Sequence, residues 1–76
     1  MQAECGASES NIDYFGNDIM RFGVSGPIER QLAECCGACA AEPRCAGFTV
    51  NGGACNVKSI LAGRITVAGA ISVRRQ

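Results

Sequence analysis

Cysteine is the residue type with the most chemical potential in this sequence, and it accounts for six of the 76 residues. Thiols at this density can form structural disulfides, bind zinc or carry out thiol–disulfide exchange. Each possibility needs a different spacing. The cysteines stand at Cys5, Cys35, Cys36, Cys39, Cys45 and Cys55.

The spacing favours structural disulfides. Cys36-Gly37-Ala38-Cys39 has the C-x-x-C form of thiol oxidoreductases. In those enzymes the motif opens a helix, whose N-terminus lowers the thiol pKa, but here it falls in the second half of a predicted helix. A site with four cysteines around zinc usually pairs two such motifs, and this sequence has one. We therefore expect neither redox catalysis nor zinc binding.

The composition also indicates that the fold needs disulfides for its stability. Hydrophobic residues make up 47% of the chain, but eleven of them are alanine, six are cysteine and none is tryptophan. A domain of this size buries only about 60% of its unfolded surface. Each native disulfide contributes about 2–5 kcal/mol in a small secreted domain. We therefore expect a single secreted or extracellular domain that folds in an oxidising compartment.

Several function classes are disfavoured by what the sequence lacks. There is no histidine, the commonest general base and metal ligand, and the formal net charge is zero, which disfavours nucleic-acid binding. No apolar run is long enough for membrane insertion. Nothing organises Lys58 and Ser59 as base and nucleophile, and Asp13, Asn17 and Asp18 lack the loop length of a calcium site. We expect no enzyme, cofactor or metal.

One helix is predicted after Ser25-Gly26-Pro27, with Ser25 accepting hydrogen bonds from free amides of the first turn. It ends near Ala41, before Pro43. Apolar side chains recur at helical spacing and define one buried face: Ile28, Leu32, Cys35, Cys36 and Cys39.

The remaining segments are predicted to be strands. Residues 10–24 are predicted to be extended, with a turn at Gly16-Asn17-Asp18. After that turn, Ile19, Phe22 and Val24 form either a second short strand or an ordered loop packed on the core. Residues 45–50 and 54–58 flank a hairpin turn at Asn51-Gly52-Gly53. Two further strands, 65–67 and 70–74, lie about Gly69. These elements predict an α+β fold, with one helix packed on a small antiparallel sheet and stapled by disulfides.

The cysteines can be paired in fifteen ways, and the sequence alone does not choose among them. Geometry favours Cys39–Cys45 across the helix exit and Cys35–Cys55 between helix and sheet, which leaves Cys5 with Cys36.

The chain resembles the PAN/apple domain family over residues 5–75. The resemblance rests on the order of five segments: Asn11-Ile12-Asp13-Tyr14-Phe15-Gly16-Asn17-Asp18, Cys35-Cys36-x-x-Cys39, Pro43-x-Cys45-x-x-Phe48, Gly52-Gly53-x-Cys55-x-x-Lys58-Ser59 and Gly69-Ala70-x-Ser72. It implies a helix cradled by an antiparallel sheet and supports the Cys35–Cys55 and Cys39–Cys45 pairs, whereas N-terminal cysteines such as Cys5 vary between branches.

The resemblance implies a non-catalytic extracellular module that binds protein or carbohydrate, often within an adhesin, and that needs no cofactor. Many relatives have an aromatic residue after the hairpin cysteine, where this chain has Asn56. An exposed aromatic ring is the usual platform for a sugar, and Asn56 cannot supply one. Tyr14, Phe15 and Phe22 are the remaining candidates, since Phe48 is expected in the core.

We expect the ligand to bind where the turn after Tyr14 meets the sheet. The candidate ligand-binding residues are Tyr14, Asn17, Asp18, Asn56 and Lys58. The simpler alternative is that Asn17 and Asp18 only stabilise the turn and that Lys58 is a solvated lysine of a strand.

The alternative function is a structural subunit that self-associates into an extracellular assembly or filament. Residues 1–42 carry seven acidic and two basic side chains, and residues 43–76 carry five basic side chains and no acid. Halves that formed separate faces would favour head-to-tail association; we expect instead that they interleave and the charges mix. The strand Ile71–Arg75 could lie at a sheet edge and pair with a neighbour, or Arg74 and Arg75 could protect that edge.

The sequence begins Met1-Gln2-Ala3-Glu4 and reaches Cys5 without an apolar segment. We therefore expect a mature form or an excised module rather than a precursor with a secretory signal.

Overall fold

The computed structural model describes residues 5–76, so the expectation about the first four residues lies outside the described residues. The elements are β1 (Cys5–Tyr14), β2 (Asp18–Gly23), α1 (Ile28–Ala41), β3 (Gly47–Asn51), β4 (Ala54–Lys58) and β5 (Arg64–Arg75). The strands form one antiparallel five-stranded sheet in the order β1-β5-β3-β4-β2. The predicted α+β fold is confirmed.

Helix α1 begins later than the sequence predicts. Its N-cap is Pro27, and no side chain caps it. The Pro27 carbonyl accepts from the amides of Arg30 and Gln31, at 3.0 and 3.1 Å. The prediction of Ser25 as the capping residue was therefore wrong.

The buried face of α1 is narrower than its apolar pattern indicated. Cys35 and Cys39 are fully buried, and Leu32 packs partly buried against the core. Ile28, in the first turn, is 41% exposed and is not part of that face. In residues 5–76, no helix has the length and apolar character required to span a bilayer.

The sheet has two differently built faces because side chains alternate along each strand. On the face toward α1, Phe48 lies opposite Val57 and Val73, and Val50 lies opposite Cys55. This face supplies most of the apolar core, which comprises Val24, Cys35, Cys39, Cys45, Phe48, Val50, Cys55, Val57 and Val73. The prediction that Phe48 fills the core is confirmed.

The opposite face carries a buried polar cluster. Thr49 and Ser72 lie opposite one another on β3 and β5, and both are buried. The Ser72 hydroxyl donates to the Ile12 carbonyl at 2.6 Å, so the Thr49 hydroxyl donates to Ser72, at 2.7 Å. These bonds satisfy groups whose burial would otherwise be costly, and they join β3, β5 and β1.

The hairpin between β3 and β4 is the turn that the sequence predicted. Asn51 pairs with Ala54, and Gly52 and Gly53 have φ values of 57° and 75°. Two consecutive positive φ values suit the twist of a tight hairpin. The first residue of β3, Gly47, must be glycine because a Cβ there would lie 2.6 Å from the Val73 carbonyl oxygen.

β5 is one strand and not the two predicted about Gly69. Its first part pairs with residues 12–14 of β1, and its second part pairs with both β1 and β3. Residues 67–70 bulge between them, where the Gly69 amide donates to the Asn11 side chain at 3.0 Å.

Because β5 lies between β1 and β3, the prediction that its last residues form a sheet edge was wrong; the edges are β1 and β2.

The two oppositely charged halves of the sequence interleave, as predicted. β1 and β2 come from the acidic half, and they pair with β5 and β4 from the basic half. Glu9 and Arg64 form an ion pair across the first contact, at 3.1 Å. The charges of the two halves therefore mix within the sheet.

Three disulfides connect the helix to the rest of the fold: Cys5–Cys36, Cys35–Cys55 and Cys39–Cys45. They are the same pairs that the sequence geometry favours. Adjacent cysteines in α1 point in different directions, so Cys35 bonds Cys55 on β4 while Cys36 bonds Cys5 at the start of β1.

Arg75 closes the C-terminal end of α1. Its Nη1 atom donates to the carbonyls of Cys39, Glu42 and Cys45, at 3.3, 2.8 and 3.2 Å. The last carbonyls of a helix have no partner within the helix and carry partial negative charge. Arg75 is therefore a helix cap and not the edge protection considered from the sequence.

We predict that Arg75→Ala lowers the free energy of unfolding by about 1.5–3 kcal/mol, because three buried or half-buried carbonyls lose a charged donor. Arg74→Ala is the matched control: Arg74 is the exposed neighbour, and its loss changes stability by less than about 0.5 kcal/mol. Urea unfolding with intact disulfides measures both. Equal stability of the two variants would contradict the capping role.

Candidate functional site

Lys58 is the most unusual charged residue of the fold. It ends β4 on the sheet face opposite the helix, and its side chain is only 3% exposed. Its ammonium bonds the Asp18 carboxylate and donates to the Gly16 carbonyl at 3.3 Å. The alternative of a solvated strand lysine was therefore wrong, because Lys58 fastens the turn between β1 and β2 to the sheet.

Asp13 is the second carboxylate beside this ammonium. Its Oδ1 atom lies 4.0 Å from Lys58 Nζ, is buried and has no hydrogen-bond partner among the described residues. Attraction between opposite charges in a poorly hydrated position takes the place of a hydrogen bond. Two carboxylates and one carbonyl thus surround one ammonium.

Phe15 follows directly and is displayed outward. Its backbone amide donates to the Gly63 carbonyl at 3.2 Å, while its side chain is 73% exposed. Large apolar side chains seldom remain this exposed unless they are isolated on the surface or take part in binding. The anchored backbone places this side chain at the rim of the site.

These groups border an open depression of about 300 Å³, called here the Phe15 depression. It combines one exposed aromatic ring, two carboxylates, two cationic side chains and an amide. Its lining residues are Asp13, Phe15, Gly16, Asp18, Arg21, Asn56 and Lys58.

The depression contains three of the five candidate ligand-binding residues: Asp18, Asn56 and Lys58. Asn17 lies in the adjacent turn with a φ of 61°, and its carbonyl accepts from the Ser59 amide at 3.0 Å. It therefore shapes the turn and does not line the depression.

Tyr14 is the candidate that the structure removes from this surface. It is only 5% exposed, and its hydroxyl donates to Glu9 Oε1 at 2.6 Å. That hydrogen bond, followed by those from Arg64, holds the pKa of the Glu9 carboxyl below its ordinary value. Tyr14 therefore does not line the Phe15 depression, because its side chain is buried on the other side of β1 from Asp13.

Four lining residues lie outside the five predicted ligand-binding residues: Asp13, Phe15, Gly16 and Arg21. Of these, Phe15 was named only as a candidate aromatic surface. Phe15 had a usable signal, since an aromatic residue followed by Gly-Asn-Asp stands at the edge of a turn and not within a strand. Asp13 and Arg21 had none, because their position depends on how β1 and β2 meet β4. Phe22, the other aromatic candidate, packs partly buried against the core.

A second depression, of about 380 Å³, lies beside Glu9, Tyr14 and Arg75. Its polar groups already have partners, because Tyr14 and Arg64 bond Glu9 and Arg75 bonds the helix end. The Phe15 depression is the better candidate site, since it displays an unpartnered aromatic surface beside its polar groups.

The carboxylates of the Phe15 depression face a lysine and do not form a cation cage. Within residues 5–76, no three or more histidine, cysteine, aspartate or glutamate side chains are grouped so as to hold a metal ion. All six cysteines are in disulfides. The exposed ring, the charged side chains and the Asn56 amide can make apolar and hydrogen-bonded contacts with a ligand.

We predict that Lys58→Met destabilises the fold by about 1–3 kcal/mol, because Asp13, Asp18 and the Gly16 carbonyl lose their shared donor. Arg21→Met, at an exposed cation of the same depression, is the control and changes stability by less than about 0.5 kcal/mol.

In a double-mutant cycle with Asp18→Asn, the loss is smaller than the sum of the two single losses. Denaturant unfolding of the four proteins measures this coupling. Additive losses would show that the Lys58–Asp18 contact contributes nothing to stability.

Comparison with known proteins agrees with this architecture. A model of the PAN domain family matches residues 12–60, well over half of the chain. Domains of this family are generally non-catalytic modules that bind protein or carbohydrate, and they are typically extracellular. No curated protein and no solved structure matches the chain significantly. The matched segment includes five of the six disulfide cysteines and the helix with its flanking strands, and the chain belongs to the PAN domain family.

Proposed function

We propose that residues 5–75 form a single, secreted, non-catalytic recognition domain of the adhesion type, which binds its ligand in the Phe15 depression. The ligand is a carbohydrate or a protein, and the features of the depression favour a carbohydrate. The observation that carries the proposal is the 73% exposure of Phe15 beside a cluster of fixed polar groups.

A sugar ring needs two kinds of contact at once. Its C–H face packs on an apolar surface, and its hydroxyls exchange hydrogen bonds with polar side chains. Phe15 offers a rigid aromatic face, and Asn56 offers both a donor and an acceptor. Phe15 lies in the connection between β1 and β2, and from there it supplies the aromatic surface that Asn56 on β4 cannot provide.

The size of the depression supports a small ligand or the end of a longer one. Its volume of about 300 Å³ is at the lower end of small-molecule sites, which occupy about 300–1,000 Å³. A stable protein partner covers about 800 Å² of surface, so it would extend well beyond these residues.

Lys58 preorganises the site in the absence of a ligand. By bonding Asp18 and Gly16 it holds the turn that carries Phe15, and no ordering of this turn is then required on binding. Contacts that are ordered in advance reduce the entropic cost of association.

The proposed extracellular location is supported by the chemistry of the scaffold. Three disulfides in 76 residues form and persist in oxidising compartments and are rare in the cytosol. The fold is therefore suited to work outside the cell.

The test is a glycan array and a protein array, followed by calorimetry with the strongest ligand. We predict that Phe15→Ala weakens binding at least about tenfold, which corresponds to about 1.4 kcal/mol, while Phe15→Tyr retains it.

Ile60→Ala is the matched control, since Ile60 is also strongly exposed, at 56%, but does not line the depression. Binding that is equally strong in Phe15→Ala and the native protein would exclude this site.

A further inference from the structure

The edge strand β2 has an unoccupied side. β4 is its hydrogen-bonded neighbour, and no other described element packs substantially against it. An edge strand directs every second pair of backbone N–H and C=O groups away from the sheet, where another strand can pair with them. β2 contains no proline, and Met20 is 38% exposed along it.

β1, the opposite edge, is less suited to such pairing. Its register with β5 shifts twice along its length, and Asn11 has a φ of 61°. Such irregularities interrupt the regular row of backbone groups that a partner strand needs. β2 has one shift, between Asp18 and Met20. Two copies related by a two-fold axis at that point carry the same extra residue opposite one another, so the register continues across their contact.

Because of that single shift, the charges of β2 in one copy of the chain can complement those of β2 in a second copy. Residues three apart in a regular strand lie on opposite faces, but Ile19 is an extra residue between the partners of Lys58 and Val57. As a result Asp18 and Arg21 lie on the same face, and both line the Phe15 depression.

We propose that β2 is a homotypic interface, at which two copies of the chain pair antiparallel about a two-fold axis. Asp18 of each copy lies opposite Arg21 of the other, and Ile19 lies opposite Met20. A two-fold axis that relates antiparallel neighbours in one sheet is normal to that sheet, so it preserves faces. The two charges can therefore meet only because the extra residue places them on one face.

This pairing would extend the sheet to ten strands and set the two Phe15 depressions side by side on the same face. Each depression borders the seam through Asp18 and Arg21. A dimer of this kind binds a repetitive or surface-attached ligand at two points, and the second contact is then intramolecular. The pairing itself does not depend on what the depressions bind.

The experiment is sedimentation equilibrium of the oxidised chain from about 10 µM to about 1 mM, a range that covers weak association. We expect the average mass of the native protein to rise toward twice that of one chain. Arg21→Glu places like charges opposite Asp18, so its mass stays at one chain or its dissociation constant rises at least tenfold. Added salt weakens the native association.

Arg30→Glu is the matched control, because it makes the same charge change at an exposed position of α1; it should associate like the native protein. Met20→Lys provides a second interface variant if Arg21→Glu does not fold, as judged by circular dichroism and its three disulfides. Amide exchange within β2 should slow as concentration rises. A native mass of one chain throughout the range, or equal association of the native and Arg21→Glu proteins, overturns the proposal.

Discussion

The disulfide between Cys35 and Cys55 is the constraint on which the rest of this fold depends. Both cysteines are fully buried, and their bond joins the middle of the helix to β4. A chain with so few large apolar side chains gains little from burial alone. The bond lowers the conformational entropy of the unfolded chain and sets the position of α1. From α1, Cys36 bonds the start of β1, and Cys39 bonds the segment that follows the helix. Arg75 then donates further hydrogen bonds to the carbonyls at this exit.

The disulfides attach α1 to one face of the sheet, so the opposite face is available for polar interactions. There the sheet buries hydroxyls and a lysine, and each must be paired because an unpaired buried polar group is costly. Thr49 and Ser72 bond each other and the backbone of β1, and Lys58 bonds the turn between β1 and β2. The same interactions that stabilise this face also fix the backbone that displays Phe15. In the proposed function, stability and ligand binding therefore share one set of contacts.

Local patterns predicted the helix, the β3–β4 hairpin and the fold class, because each depends on residues close in sequence. Ile28, Leu32 and Cys35 mark a helix by their spacing, although the first turn proved exposed. Predictions failed where distant segments decide the environment. Lys58 is buried beside the turn after β1, and Tyr14 is buried with its hydroxyl bonded to Glu9. β5 was divided at Gly69 because a bulge within a long strand resembles a turn in the sequence.

The most direct test of this account is to map the bound surface by amide chemical shifts during titration with the ligand found on the arrays. The account predicts that the largest shifts fall on Phe15, Gly16, Asp18 and Asn56, with little change along α1. Shifts concentrated on the helix, or on the depression beside Glu9 and Arg75, would contradict it, because those surfaces serve only to hold the fold in this account.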